Sequence, residues 1–456
     1  MVKFVVEQAG GMSSVHLYGA QTVNNKGHLE IGGMDSVLLA DTYGTPLIVY
    51  DTGLFRSRAR AFKRTFSDEG VPAQVAYASK AFSCMAIYRL AEEEGLSLDV
   101  VSGGELYTAI RAGFPAERIH FHGNNKSEEE LRMAFEEGVG CIVADNFLEI
   151  SMIGRLARGS SRRMDVLIRV TPGIEAHTHD YITTGQEDSK FGFDLNNGQA
   201  DEALRRLSEI PEIRVLGLHC HIGSQIFDTE AFGLAAESLI GKMDSWRRER
   251  GFVCSVLNLG GGFGIRYTEE DHPLEPEEYV KSMIRTVKRT TEEASYPLPE
   301  IWIEPGRSLV GDAGTTLYRA GSEKTVPGVR HYLAVDGGMS DNIRPALYGA
   351  RYSAALANRM DEPHDARYTI AGKCCESGDK LIEEALLPGV REGDLVAVFC
   401  TGAYGYAMAS NYNRLPRPAV VFVENGEHRL AIRRETYEDL VRLDAEPATV
   451  GKEGIR

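Results

Sequence analysis

Between about residue 55 and residue 305 the chain repeats one cadence eight times. A short β-branched or apolar run closes on a small or polar residue, and a longer segment rich in Ala, Glu, Leu and Arg follows. The runs are QVAYASK (74–80), LSLDVVSGG (96–104), RIHFHGNN (118–125), GCIVADN (140–146), MDVLIRVTPG (164–173), VLGLHCHIG (215–223), SVLNLGGG (255–262) and EIWIEPGR (300–307). Near-continuous apolar runs are what strands buried on both faces require. The intervening segments carry helical spacing: in SGGELYTAIRAGF, Leu106, Ile110 and Phe114 fall four apart. Eight buried strands alternating with helices predict an α/β fold, a (β/α)8 barrel of about 250 residues. A doubly wound open sheet is the alternative, and the strand count and near-regular spacing favour the barrel.

The flanks follow a different pattern. LIVYD follows a turn-like YGTP near the N-terminus. Residues 331–435 hold HYLAVDGG, YTIAGKCC, DLVAVFCTGAY and AVVFVENGEHRLAIRRE, short strands split by turn residues, with VENGEH a hairpin signal. The expected organisation is a disordered N-terminal extension at 1–14, one or more strands at 15–52 that join a β domain, the barrel at 53–307, and a mainly antiparallel β domain at 308–456. THDYITTGQEDSKFGFD (178–194) is a polar insertion between barrel runs, expected to act as a lid.

Charge and cysteine usage narrow the function. The net charge is −16 with no basic run, which argues against nucleic acid or an anionic membrane as partner. MVKFVVEQAGGM has too short an apolar run for a secretory signal, and no stretch approaches the roughly 18–20 apolar residues of a membrane span. Seven scattered cysteines form no zinc-type spacing, so no metal site is expected, and free thiols in a reducing cytoplasm are.

The residues with chemical potential stand at the ends of the runs. Lys80 closes YASK. Burial there would lower its pKa and leave a nucleophilic amine suited to a Schiff base, although alone it reads as an ordinary strand-end lysine. LNLGGGFG offers backbone N–H groups to a phosphate, or simply a tight turn. Glu304 and Arg307 in EPGR could bind a ring nitrogen and an anion, or pair with each other. His221 in HCHIGSQ could lie against a cofactor ring, with His219 a core histidine. Taken jointly and in this order, a lysine for an aldehyde, a ring face, phosphate amides and a carboxylate for a pyridine nitrogen ask for pyridoxal 5′-phosphate (PLP).

YASK, HIGSQ, GGGFG, EPGR, RPALYGA, CESGD and GAYGYAMASNYN, in that order over roughly residues 15–440, resemble the diaminopimelate decarboxylase family. That family belongs to PLP fold type III, with ornithine decarboxylase and alanine racemase. The resemblance implies a PLP barrel with a β domain, acting as a homodimer with shared active sites on the small molecule diaminopimelate. It implies that Lys80 holds PLP, His221 stacks on the ring and Ser224 lies on the phosphate side. Gly261, Gly262, Gly306 and Arg307 would cradle phosphate or substrate, and Glu304 would pair with the ring nitrogen. Arg344 and Tyr348 would bind a substrate carboxylate, Glu376 the distal ammonium, and Tyr404 the phosphate and substrate. Cys375, from the partner subunit, would be the acid that protonates the substrate carbon, with Cys374 beside it on an extended strand facing away. A decarboxylase of ornithine, arginine or carboxynorspermidine, a racemase, and a non-catalytic PLP-binding homologue are the alternatives. The family commonly has proline where this chain has Lys373, a residue that could favour the Cys375 thiolate or simply be solvated.

Overall fold

The computed structural model describes residues 15–158, 160, 162–173 and 189–445. The expected disordered extension at 1–14 and most of the insertion at 178–194 lie outside the described residues. The eight runs form eight parallel strands, each at its expected place. They are β2 (Ala73–Ala78), β3 (Ser97–Val100), β4 (Ile119–Phe121), β5 (Cys141–Ala144), β6 (Met164–Thr171), β7 (Ile213–His219), β8 (Val256–Asn258) and β9 (Glu300–Ile303). Each pairs with the next, and Ile301↔Ala73 joins β9 back to β2, so the sheet closes on itself. Closure leaves no barrel edge unpaired.

Helices cover the outside: α1 (Thr52–Asp68), α2 (Met85–Glu93), α3 (Gly103–Ala112), α4 (Glu128–Glu137), α5 (Phe147–Ala157), α6 (Gln199–Ser208), α7 (Glu230–Arg250) and α8 (Pro276–Glu293). Local sequence sets their ends. Ser102 caps α3 by accepting the Glu105 N–H, and Gly113 ends it in the left-handed region at φ 81°. Ser127 and Glu130 form a reciprocal capping box on α4. α1 precedes the first barrel strand, yet it packs on α8 and β2 and so fills the eighth helical position.

Side-chain alternation divides the strands' two faces. Ile142, Val166, Ile168 and Leu257 pack outward into the large core shared with the helices. Cys141, Val143, Leu167, Leu216, Val256 and Trp302 form a separate small cluster inside the barrel. The barrel is therefore filled at its middle, and open chemistry is confined to its ends.

The second sheet is built from both ends of the chain. β1 (Leu47–Asp51), the LIVYD run, lies between β10 (Gly314–Val326) and β16 (Ala419–Glu424), antiparallel to the first and parallel to the second. β11 (Arg330–Val335), β13 (Ala366–Ala371) and β14 (Lys380–Leu387) extend the sheet on one side, and β17 (Glu427–Ile432) closes the other. β12 (Ala354–Leu356) pairs with β15 (Leu395–Val398), which pairs with β10. VENGEH makes the expected hairpin, with Asn425 and Gly426 at φ 52° and 79°. β1 has no polar alternation because both its faces are buried. Ile48 and Tyr50 belong to the barrel core, while Leu47 and Val49 belong to the β-domain core.

One barrel strand carries a steric requirement. A Cβ at Gly217, on β7, would stand 2.0 Å from the Val256 carbonyl oxygen of β8, beside a register irregularity between Val215 and Gly217. Gly217→Ala should force these strands apart, cost about 1–3 kcal/mol and lower the apparent Tm by at least about 2 °C. An unchanged melting curve would contradict the packing described.

Candidate active site

Strand parity brings a polar residue inward at the C-terminal end of every barrel strand. Lys80 follows β2, Asp99 is on β3, His122 follows β4, Asp145 follows β5, Arg169 is on β6, His219 ends β7, Asn258 ends β8 and Glu304 follows β9. All except Lys80 are buried. Eight converging strands thus turn one end of an apolar cylinder into a ring of hydrogen-bonding and charged groups.

Glu304 is the centre of that ring. Its Oε1 accepts from Asn258 Nδ2 at 2.6 Å and lies 3.1 Å from His122 Nε2, and its Oε2 lies 3.2 Å from His219 Nε2. Burial alone would raise its pKa. The imidazoles of His122 and His219 outweigh burial and hold it well below the usual carboxylate range. His122, His219 and Glu304 place donor atoms within 4.8 Å of one another, close enough for a metal ion to bridge. The existing contacts place the Asn258 amide and two imidazoles against this carboxylate.

Lys80 sits in a one-turn 3-10 segment, Ser79–Ala81, rather than on the strand itself. The expectation of a lowered pKa is corrected here. Burial does push the amine down, but the charges of Asp99, Tyr404 and Glu304 more than offset it, and the net direction is up. Lys80 thus shares the cleft with the carboxyl groups of Asp99 and Glu304. Asp99 is itself pushed up to about 6, chiefly by burial.

His221 follows β7 in a loop. Its pKa is well below normal, first through burial and then through the charges of Lys80 and Arg169. Its Nδ1 accepts the Gly261 N–H at 3.2 Å. Gly261 is thus tied through its amide to His221, itself part of the cleft lining. The glycines are sterically necessary. A Cβ at Gly261 would lie 2.1 Å from the backbone carbonyl oxygen of Glu304, and one at Gly262 would lie 2.4 Å from that of Gly223.

Arg307 Nη2 donates to Ser224 Oγ at 3.0 Å, and Nη1 donates to the Tyr267 hydroxyl. Arg344 Nε donates to the Tyr352 hydroxyl at 3.1 Å. Tyr267 and Tyr352 meet edge to face, so an aromatic pair holds both arginines. Tyr404 lies between them, with guanidinium carbons 5.0 and 5.4 Å from its ring centre. Tyr404 has φ 60°, a conformation uncommon for a bulky residue, and its N–H donates to Ala81 O at 2.8 Å beside Lys80.

One cleft of about 430 Å³ gathers Lys80, His221, Ser224, Gly262, Glu304, Gly306, Arg307, Arg344, Tyr348 and Tyr404. It also gathers Asp99, His122, Arg169 and His219, of which only His219 was weighed from sequence, and then as packing. Cys375 and Glu376 are not in its lining. GKCCESGDK is a loop between β13 and β14, which corrects the expected extended strand. Cys374 is buried and Cys375 exposed, so the two thiols do differ, and neither is in a disulfide. Lys373 is exposed, in keeping with the solvated alternative.

The residues present fit PLP. Glu304 is a buried anion at one end of the cleft, Arg307 and Ser224 stand beside the Gly262 and Gly306 backbone at another, and Lys80 shares the same space. Among the described residues no helix is long and apolar enough to cross a membrane.

The relatives agree with this geometry. Residues 52–311 match the pyridoxal binding domain of the pyridoxal-dependent decarboxylases. The diaminopimelate decarboxylase of Bacillus subtilis (strain 168) is 66% identical over 428 residues, 94% of this chain and 98% of its own. That of Staphylococcus aureus (strain COL) is 46% identical over 92% of this chain and 98% of its own. The crystal structure of the M. jannaschii diaminopimelate decarboxylase in co-complex with L-lysine superposes with a TM-score of 0.86 at 34% identity, covering 94% of this chain and 98% of that one. A lysine/ornithine decarboxylase of Vibrio vulnificus, 22% identical with a TM-score of 0.72, shares the fold. Continuous similarity through both the barrel and the β domain, over a cleft built for a phosphorylated pyridine aldehyde, places this chain in the diaminopimelate decarboxylase family of pyridoxal-dependent decarboxylases.

Proposed function

We propose that the chain converts meso-2,6-diaminopimelate to L-lysine and CO2, the last step of lysine synthesis, with PLP as cofactor. The observation that carries this reading is the convergence of Lys80, the anion Glu304 and the Arg307–Tyr404–Arg344 group in one cleft. Lys80 would hold the PLP aldehyde, His221 would lie on the ring, and Glu304 would face the ring nitrogen. Ser224, Gly262, Gly306, Arg307 and Tyr404 would surround the phosphate. Bound PLP supplies an electron sink for the pair left behind when a carboxylate departs.

The chain's own residues do the rest. Glu304, kept ionised by its donors, favours a proton on the atom it faces. Lys80, with Asp99 beside it, exchanges a proton as its amine is displaced and returns. Arg344, Arg307 and Tyr348 bind a substrate carboxylate, and Glu376 binds the distal ammonium. Holding that unreacting end fixes which bond lies across the ring, so these contacts act on rate as well as affinity. The Cys375 Sγ–H delivers a proton to the carbon that lost its carboxylate, which balances the departure of CO2.

Cys375 and Glu376 are exposed and lie outside the cleft of their own chain. A thiol in that position serves a cleft by belonging to a second copy, which supports a homodimer with shared sites. Seven free cysteines support a reducing, cytoplasmic setting. The barrel at 53–307 then carries PLP, while Arg344, Tyr348 and Tyr404 of the β domain supply the substrate-reading wall.

CO2 release measured in parallel with meso-diaminopimelate, ornithine and arginine should be confined to the first; equal turnover of ornithine would reject the substrate assignment. Lys80→Ala should abolish the Schiff-base absorbance and essentially all turnover, and retention of either would remove Lys80 from its role. The thiols should separate: Cys375→Ala cripples turnover while Cys374→Ala changes kcat only mildly. Matching losses in steady-state kinetics would refute that division.

A further inference from the structure

Asp379, the last residue of CESGD, lies in no part of the cleft lining and is 3% exposed. Its two oxygens bind two different loops. Oδ1 accepts the Met339 N–H at 2.7 Å, and Oδ2 accepts the Cys374 N–H at 2.8 Å. The first loop runs on to Arg344 and Tyr348 in the chain's own cleft. The second carries Cys375 and Glu376. Backbone contacts reinforce the junction: Lys373 N donates to Gly337 O at 2.9 Å, and Gly372 N donates to Asp379 O at 3.0 Å.

The surrounding glycines are shaped to this carboxylate. A Cβ at Gly372 would fall 2.3 Å from both of its oxygens, and one at Gly338 would fall 2.5 Å from Oδ2. Two loops of different sequence origin have thus given up side chains to admit one anion. The site is also crowded with acid. Asp341 is pushed up to about 7, first by burial and then by the charges of Asp336 and Asp379. Asp379 adds a third carboxylate to this site, held by the two N–H groups that donate to it.

We propose that Asp379 is a positioning residue that fixes the loop bearing Cys375 and Glu376, and so places the proton-donating thiol in the partner's cleft. The inference rests on the shared-site reading above. Charged acceptors for backbone N–H groups are strong and geometrically specific. Asn at 379 keeps the shape but replaces one acceptor with a donor that faces an N–H group, so one of the two loops is released.

In the holoenzyme Asp379→Asn should lower kcat about 10- to 100-fold, as expected for a misplaced reacting group, with KM for diaminopimelate changed less and the Schiff-base absorbance of Lys80 intact. The melting temperature should fall by no more than about 4 °C, since one loop contact is lost while the fold is kept. Cys375 is the one exposed cysteine among the described residues, and its alkylation rate by iodoacetamide should shift by about fivefold or more as the thiol's setting changes. Isolated heterodimers of Asp379→Asn and Lys80→Ala chains should recover roughly half of the wild-type dimer rate, because one of two symmetric sites then joins an intact Lys80 to an intact thiol loop. Mixing Cys375→Ala with Lys80→Ala chains is the control for site sharing. Rescue in the control but not with Asp379→Asn overturns the proposal. Absence of rescue in the control overturns site sharing, and the proposal, which rests on it, falls with it. An alkylation rate within twofold of wild type overturns the proposal whatever the mixtures show.

Discussion

A carboxylate buried at the mouth of the barrel is the constraint on which the rest of the site depends. Taking Glu304 out of water is costly unless it is matched by donors. Asn258, His219 and His122 provide them from three other strands, and they reach it only because the barrel is closed and the strand registers are fixed. A one-residue slip in any of these strands would turn its donor into the apolar helix layer. The site's electrostatics and the barrel's register are therefore one requirement.

That link explains what could be read in the sequence. The barrel was legible because strands buried on both faces leave apolar runs, and eight of them recur. Lys80, Glu304 and Arg307 stood out because they end those runs. Asp99, His122, Arg169 and Asn258 did not, since each reads as an isolated polar interruption within or just beyond a run. Parity holds the missing signal: counted from the interior positions, they fall on the inward face, where a polar residue has no reason to be unless it meets a partner. The partner is tens to hundreds of residues away, and one strand's periodicity carries no information about it. Tyr267 and Tyr352 were illegible because each bonds an arginine of its own domain through a hydroxyl that no periodicity marks, and the two rings meet only where the barrel and β domain join. The rise in the Lys80 pKa also depends on such a neighbour, since burial alone predicts the opposite direction.

The β domain does more than lid the barrel. β1 is covered on one face by the barrel core and on the other by the second core, and Tyr50 stacks on Phe82 at 4.4 Å, two residues from Lys80. From the same domain Tyr404 bonds the Ala81 carbonyl, in a backbone conformation that tertiary contacts must enforce. The turn that presents Lys80 is thus gripped from the β-domain side as well as by the strand that leads into it. Movement of the two domains relative to each other would move the lysine against the arginine pair, so the precision of the site is a property of the junction.

Local charge runs against the charge of the whole. The chain carries −16, yet the cleft lining holds five cations, Lys80, Arg169, Lys190, Arg307 and Arg344, against two carboxylates, Asp99 and Glu304. Screening at physiological ionic strength confines an exposed charge to about 8 Å, so the acidic surface governs solubility while the cleft governs its ligand. A phosphorylated cofactor and a dicarboxylate substrate are both anions, and low-dielectric walls strengthen their attraction to buried guanidinium groups. Asp99 and Glu304 do not cancel this field. Asp99 and Lys80 share the cleft and Glu304 is ringed by its own donors, so that among the described residues Arg307 and Arg344 have no acidic partner.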